Sequence, residues 1–263
     1  MTLMRNRKLA TWVLLPVLWC LVRPPTVLAV KGLRRSEADN YPEAVLITAV
    51  SFGLHQTSLG CGVLIAPRVV LTAGHCVRGF DSWEVTAPYA QGQRRTTRTA
   101  SLHPRYPQDR LENDLAVLIL DKGIDIGRPF PSLHGGDLYP IEQTKLLVVG
   151  RVENGMPSPT RLFQTEVTLV QFPGDLNLYG GFPGVSEKGD SGGPVFLVGK
   201  EREVVAVVSG GVGFRAGSGG NVPTDRYMPI SWKNRNWILQ QIPKIPSTPG
   251  PESSSPESQS NPH

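Results

Sequence analysis

The chain is built from short apolar runs separated by turn-forming residues. AVLITAV, GVLIAPRVVLTA, LAVLIL, KLLVVG, TEVTLVQF, PVFLVG and EVVAVVSGG follow one another between residues 44 and 211. Each is rich in Val, Ile or Leu, and Gly, Pro, Asn or Asp punctuates the intervals. Runs this short, with no helical pattern alternating between them, predict an all-β barrel or sandwich. One helix is predicted near the end, in SWKNRNWILQQI at about residues 231–242. Ser231 is placed to cap it, and Trp237, Ile238, Gln241 and Ile242 fall on one side.

The two ends read differently. Residues 1–29 open with a cationic stretch and continue into an apolar run from Leu9 to Val22, broken by Pro16. That run is too short to span a bilayer. TVLA follows, with small residues suited to signal peptidase, so residues 1–29 are expected to be a signal peptide cut after Ala29 and not a retained anchor. Bulky Trp19 argues against lipidation at Cys20. The formal charge of the whole chain is +5, but the leader holds Arg5, Arg7, Lys8 and Arg23 with no acid, so the remainder carries only +1. No strong field is left to attract nucleic acid or an anionic membrane. At the other end, residues 244–263 are Pro- and Ser-rich with almost no large apolar side chain, and are expected to be disordered. The expected ordered unit is about 30–243.

Export changes the meaning of the cysteines. Without Cys20 the pair Cys61 and Cys76 remains, and an even pair in an oxidising compartment suggests one disulfide. Two cysteines with only His75 beside them lack the ligand count of a structural zinc site, so no metal and no cofactor is expected.

Chemistry is suggested first by KGDSGGPVFLVG at 188–199, where glycines flank Ser191. The pattern G-x-S-x-G matches the nucleophile elbow of α/β-hydrolases, but Pro194 and VFLVG point to a following strand instead of a helix. That family also needs a histidine after the serine, and here only His263 follows. A serine hydroxyl needs an adjacent base that is itself held by a third group. His55, His75, His103 and His134 precede Ser191. VVLTAGHCV puts His75 directly after a buried-looking strand, whereas His103 lies in a proline-rich loop and reads as structural. In ENDLAVLIL, Asp114 stands at the mouth of an apolar strand. It is either a plain strand-start residue or the group that holds the imidazole's other N–H.

Taken in order, LTAGHC, NDLAVLIL and GDSGGP resemble the three signature blocks of the trypsin/chymotrypsin-like serine peptidases. The resemblance extends over nearly all of 30–243: CGVLIAPRVVLTAGHC is similar to the first barrel with its His-loop disulfide (Cys61, Cys76), VVGRVENG to the start of the second, VVSGG to the substrate-binding strand, and NWILQQI to the closing helix. It implies two packed six-stranded antiparallel β-barrels with a C-terminal helix. The first barrel is expected at about 30–135, the second at about 136–230. It also implies a triad of His75 as base, Asp114 as orienter and Ser191 as nucleophile. The backbone N–H groups of Gly189 and Ser191 would form an oxyanion hole, worth about 3–4 kcal/mol per donor in comparable enzymes.

Further roles come from the same resemblance. Asp190 is expected to pair with a new α-amino group, and counting back from Tyr41-Pro42 puts Val30 near that N-terminus. Leader removal alone would then create it. VKGL lacks the family's second glycine, and Arg34-Arg35 is a competing processing point that would expose Ser36. Ser209, Gly210 and Gly211 resemble the strand that pairs with substrate. Val185 stands where the primary pocket is floored, which favours apolar or small side chains. Asp225 is open to two readings, a pocket-wall acid for basic side chains or a surface turn acid. Glu187 replaces a pocket cysteine, and the few cysteines and short loops resemble bacterial members. The expected protein is a secreted or periplasmic, monomeric serine endopeptidase. Its partners are polypeptide substrates and protein inhibitors, not nucleic acid, and not membrane once the leader is gone. The alternatives are a non-catalytic binding protein on the same scaffold and, less well matched in motif order, an ester hydrolase.

Overall fold

The computed structural model describes residues 35–106, 113–136, 144–170, 178–180, 186–215 and 221–243. The expected leader, Val30, Val185 and the tail from 244 lie outside them.

The first half forms β1 (Ala44–Ser51), β2 (Gln56–Ala66), β3 (Val69–Thr72), β4 (Ser82–Ala87), β5 (Gln93–Thr97), β6 (Thr99–Leu102) and β7 (Ala116–Ile119). They pair antiparallel in the order β5-β4-β1-β2-β3-β7-β6. The two edge strands, β5 and β6, are separated in the chain by Arg98 alone, so the sheet curls on itself. The second half supplies β8 (Lys145–Gly150), β9 (Phe163–Val170), β10 (Leu178–Gly180), β11 (Pro194–Leu197), β12 (Glu203–Arg215) and β13 (Asn221–Pro229). Their order is β9-β8-β11-β12-β13-β10, and pairing of β10 with β9 closes a six-stranded barrel. This is the two-barrel fold that the signature blocks imply.

Continuous apolar runs form these strands because both faces are covered. In the first half, Val45, Ile47, Leu64, Val70, Ala116 and Leu118 fill the interior of the curled sheet. Their neighbours Ala44, Leu46, Val63, Val69, Leu71 and Val117 point the other way and pack with Val149, Phe196, Val207 and Ile238 from the second half. A period of two therefore feeds two cores from one run. Polar clamps cross the same seam. Arg151 Nη1 donates to Ile47 O at 3.2 Å and Gly60 O at 3.3 Å, and Arg202 Nε to the fully buried Glu43 at 2.7 Å.

Helix α1 spans Trp232–Gln240. The Ser231 hydroxyl accepts from Asn234 N, as expected of its cap. Ile238 is buried, and Trp237 and Ile242 pack against the seam. The helix ends at Gln240, and Gln241 is its half-buried C-cap.

Leu118→Ala should cost about 2–5 kcal/mol in urea unfolding, because Leu118 is fully buried in the curled sheet. Met156→Ala, at a residue 75% exposed, should stay within about 0.5 kcal/mol. Equal losses at both positions would contradict this account of the core.

Candidate active site

His75 sits in a single 3-10 turn, Gly74–Cys76, just beyond the buried strand β3. Asp114 lies two residues before β7, after Asn113, whose φ of 50° is left-handed. Asn tolerates that region better than most residues, and the kink sends Asp114 inward, where it is fully buried. Its carboxylate accepts three hydrogen bonds. His75 N reaches Oδ1 at 2.8 Å, His75 Nδ1 reaches Oδ2 at 2.8 Å, and the Ser209 hydroxyl reaches Oδ2 at 2.6 Å. A carboxylate can only accept, so the shared proton resides on Nδ1, and in the neutral ring Nε2 is the acceptor. Burial disfavours the charged ring, but the hydrogen bond to Asp114 and the neighbouring Cys76 sulfur outweigh it and push the His75 pKa up to about 10.

Ser191 reaches this region through its backbone. Its carbonyl accepts from Cys61 N of β2 at 2.8 Å and lies 3.6 Å from the Cys76 sulfur, next in the chain to His75. Gly192, with φ +82°, follows at closest approach; a Cβ there would run into Thr72 Oγ1 and the Cys61 carbonyl. Only glycine lets the loop approach β3 this closely. Among the described residues, the Ser191 hydroxyl makes no hydrogen bond to His75, a contact that tightens in many enzymes only with substrate bound. Gly189 adopts φ +120°, a conformation that side chains rarely take, and among the described residues neither its N–H nor that of Ser191 has a backbone acceptor.

Asp190 is fully buried with every oxygen engaged. Oδ1 accepts from Val152 N at 2.9 Å; Oδ2 accepts from Glu187 N at 2.9 Å and from the Arg35 guanidinium at 2.7 Å. The cation on this carboxylate is Arg35; Val30, whose α-amino group was expected there, lies outside the described residues. Arg35 Nη1 also donates to Val152 O at 2.8 Å, so the guanidinium bridges the same segment as the carboxylate. Gly150 makes room for Asp190, since a Cβ there would overlap the carboxyl group.

The expected disulfide is not formed, which corrects the sequence reading. Cys61 and Cys76 are both buried free thiols. Their sulfurs turn to carbonyls of the Ser191 loop, Cys61 to Gly189 O at 3.5 Å and Cys76 to Ser191 O at 3.6 Å. Burial raises the Cys61 thiol well above its ordinary pKa, which suits a neutral packing group.

The remaining expected residues lie along β12 and β13. Ser209 is buried and turned to Asp114, a use that the substrate-strand expectation did not include. Gly210 and Gly211 pair with Arg226 and Asp225 beyond an irregularity in register at Val208–Gly210. Asp225 is 1% exposed, which removes the surface-turn reading. It accepts from Ser186 N at 2.8 Å and Tyr227 OH at 2.9 Å. His103 is buried edge-on against Trp237 with ring centroids 4.8 Å apart, and burial, aided by Arg105, lowers its pKa to about 4. That is a packing role. Among the described residues no group of three His, Cys, Asp or Glu is arranged to hold a metal, and no helix is long and apolar enough to cross a membrane.

Comparison with known proteins gives one family model, described as Trypsin, which matches residues 42–238. Among curated proteins none matches the chain. Solved structures share the fold. One is described as HL collagenase: 20% identity, TM-score 0.61, covering 80% of this chain and 96% of that one. Another is the scabies mite inactivated protease paralogue S-I1, with 19% identity, TM-score 0.61, and 80% and 98% covered. A third is described as GrC, with 20% identity, TM-score 0.62, and 78% and 97% covered.

Asp114→Asn should bring the His75 pKa back towards or below the free-imidazole value of about 6.5, because burial would then act without its counterweight. In wild type the ring's charge favours the folded state below that value and the contribution is lost as pH rises through about 10. An NMR titration of the variant with His75 still near its wild-type value would contradict the assignment.

Proposed function

The chain belongs to the trypsin family, and from that premise we propose that it is a serine endopeptidase acting through His75, Asp114 and Ser191. The observation that carries this reading is the pairing of His75 Nδ1 with buried Asp114 at 2.8 Å, on a turn that touches the Ser191 backbone. Ser191 Oγ attacks the peptide carbonyl while His75 Nε2 takes the hydroxyl proton; Asp114 holds the ring and balances the imidazolium. The oxyanion is met by the N–H groups of Gly189 and Ser191. Collapse passes the proton from His75 to the leaving amine, and water then repeats the sequence on the acyl-enzyme.

Export places the enzyme outside the cytoplasm after loss of residues 1–29. The substrate lies along Ser209, Gly210 and Gly211; no Cβ at Gly210 would meet another atom within 4 Å, and that edge is open. Its primary side chain is apolar or small. Val185 offers no charge, and the Asp225 carboxylate already accepts two protein hydrogen bonds.

On a peptide library the purified protein should cleave after apolar or small residues, and a profile dominated by Arg and Lys would reverse the specificity assignment. His75→Ala and Ser191→Ala should each lower kcat at least about 10⁴-fold without unfolding the protein. Undiminished hydrolysis in either variant would reject the mechanism. For the wild type, kcat/KM should rise with pH on a limb centred above about 6.5, because the base must be neutral and His75 is shifted upward. A limb centred below that value would contradict the role of His75.

A further inference from the structure

Behind the nucleophile loop stands a short hairpin that the catalytic roles leave unused. In RVENGMPS, Val152 and Glu153 pair with Pro157 and Met156. Asn154 and Gly155 make the turn, with left-handed φ of 53° and 79°, and Asn-Gly is the dipeptide that such a two-residue turn favours. Ser158 N closes the base by donating to Arg151 O at 2.8 Å. The hairpin backs onto Gly189: a Cβ added there would come within 3.2 Å of Val152 Cγ2, 3.6 Å of Pro157 Cβ and 3.7 Å of Arg151 Cδ. Its position therefore limits where the Gly189 backbone can stand.

Arg151 fixes that position. It is 2% exposed, and among the described residues its side-chain hydrogen bonds all end on backbone carbonyls. Nε and Nη2 grip Ser158 O at 3.0 and 2.8 Å. Nη1 turns the other way, to Ile47 O of β1 at 3.2 Å and Gly60 O of β2 at 3.3 Å. The residue after Gly60 is Cys61, whose N–H holds Ser191 O at 2.8 Å. One planar fork thus joins the hairpin behind Gly189 to the strand that holds Ser191. A lysine ammonium, as a point charge, has no such span. Burial lowers the Arg151 pKa, and Cys61 and Asp190 offset only part of that. The cation is kept in the interior by carbonyls across the seam.

We propose that Arg151 is a positioning residue for the reaction, one that fixes the hairpin behind Gly189 at the distance from β2 at which the Gly189 and Ser191 N–H groups converge on one oxyanion. The inference rests on the serine-peptidase reading and names what sets the spacing of that site. Its hydrogen-bond partners, Ile47, Gly60 and Ser158, all lie downstream of the expected cleavage point, and none of them is Asp190. The clamp supplements an α-amino group at Asp190 and does not replace it.

The test uses the secreted protein, with amino-terminal sequencing to confirm that wild type and variants begin at the same residue. Arg151→Met should lower kcat about 10²-fold with KM little changed, because a small misplacement of oxyanion donors acts on the transition state. Affinity for a peptidyl trifluoromethyl ketone, whose adduct with Ser191 carries the oxyanion, should fall by the same factor. Affinity for the matching peptide amide, which forms no adduct, should hold. Arg151→Lys keeps the stem and the charge and should remain slow, since one ammonium cannot span Ser158 O and β2. Guanidinium ion at a non-denaturing concentration should recover part of the rate in Arg151→Ala, and ammonium ion should not. If Arg151→Met fails to fold, Arg151→Lys carries the test; failure of both to fold would make Arg151 a folding residue and overturn the proposal. A kcat within threefold of wild type in Arg151→Met, equal losses for ketone and amide, or full activity in Arg151→Lys would also overturn it. A correctly processed wild type that hydrolyses nothing would instead sink the peptidase reading. Hydrogen exchange across residues 152–158 and 187–193 would then still read the clamp: acceleration in Arg151→Met supports it, and unchanged exchange overturns it.

Discussion

The Ser191 loop belongs to the second barrel, but its carbonyl is held by the first, through Cys61 N at 2.8 Å. The rest of the site depends on that crossing. β3 delivers His75 from one side of the seam, and the loop delivers Ser191 from the other. Packing by Val63, Leu71, Phe196 and Val207 beneath them keeps the two sides from shifting. A well-packed core resists displacement because small gaps forfeit many contacts at once. Arg151 reinforces the register by binding carbonyls of β1 and β2 from the second half.

Asp114 and Asp190, both buried beside the Ser191 loop, are satisfied in different ways. Asp114 gathers an imidazole, a backbone N–H and the Ser209 hydroxyl, and so fixes the orientation of the ring. Asp190 is matched by a permanent cation and two backbone N–H groups. An unpaired buried charge costs several kcal/mol, so each acid needs its partners for the fold to close. The first arrangement pairs the acid with a group that can titrate, and the second with a permanent charge.

Much of this was legible in the sequence, for local reasons. LTAGHC, NDLAVLIL and GDSGGP are contiguous blocks, and runs of Val, Ile and Leu announce strands whatever lies across from them. The Ser231 cap acts within one turn of its helix. What escaped was long-range. Nothing around Arg35 distinguishes it from a dibasic processing point until folding brings it to Asp190. Ser209 reads as part of a substrate strand because its contact with Asp114 spans 95 positions. The cysteines followed a compartment argument, whereas the structure turns both sulfurs to loop carbonyls.

The central claim is that the two barrels bring an activated serine hydroxyl to a histidine held by a buried acid. Treatment of the folded protein with a fluorophosphonate, followed by peptide mapping in a mass spectrometer, tests it most directly. The account predicts a single phosphonyl adduct on Ser191 that is lost in His75→Ala and on unfolding. An intact protein that takes no label, or takes it on another residue, would contradict it.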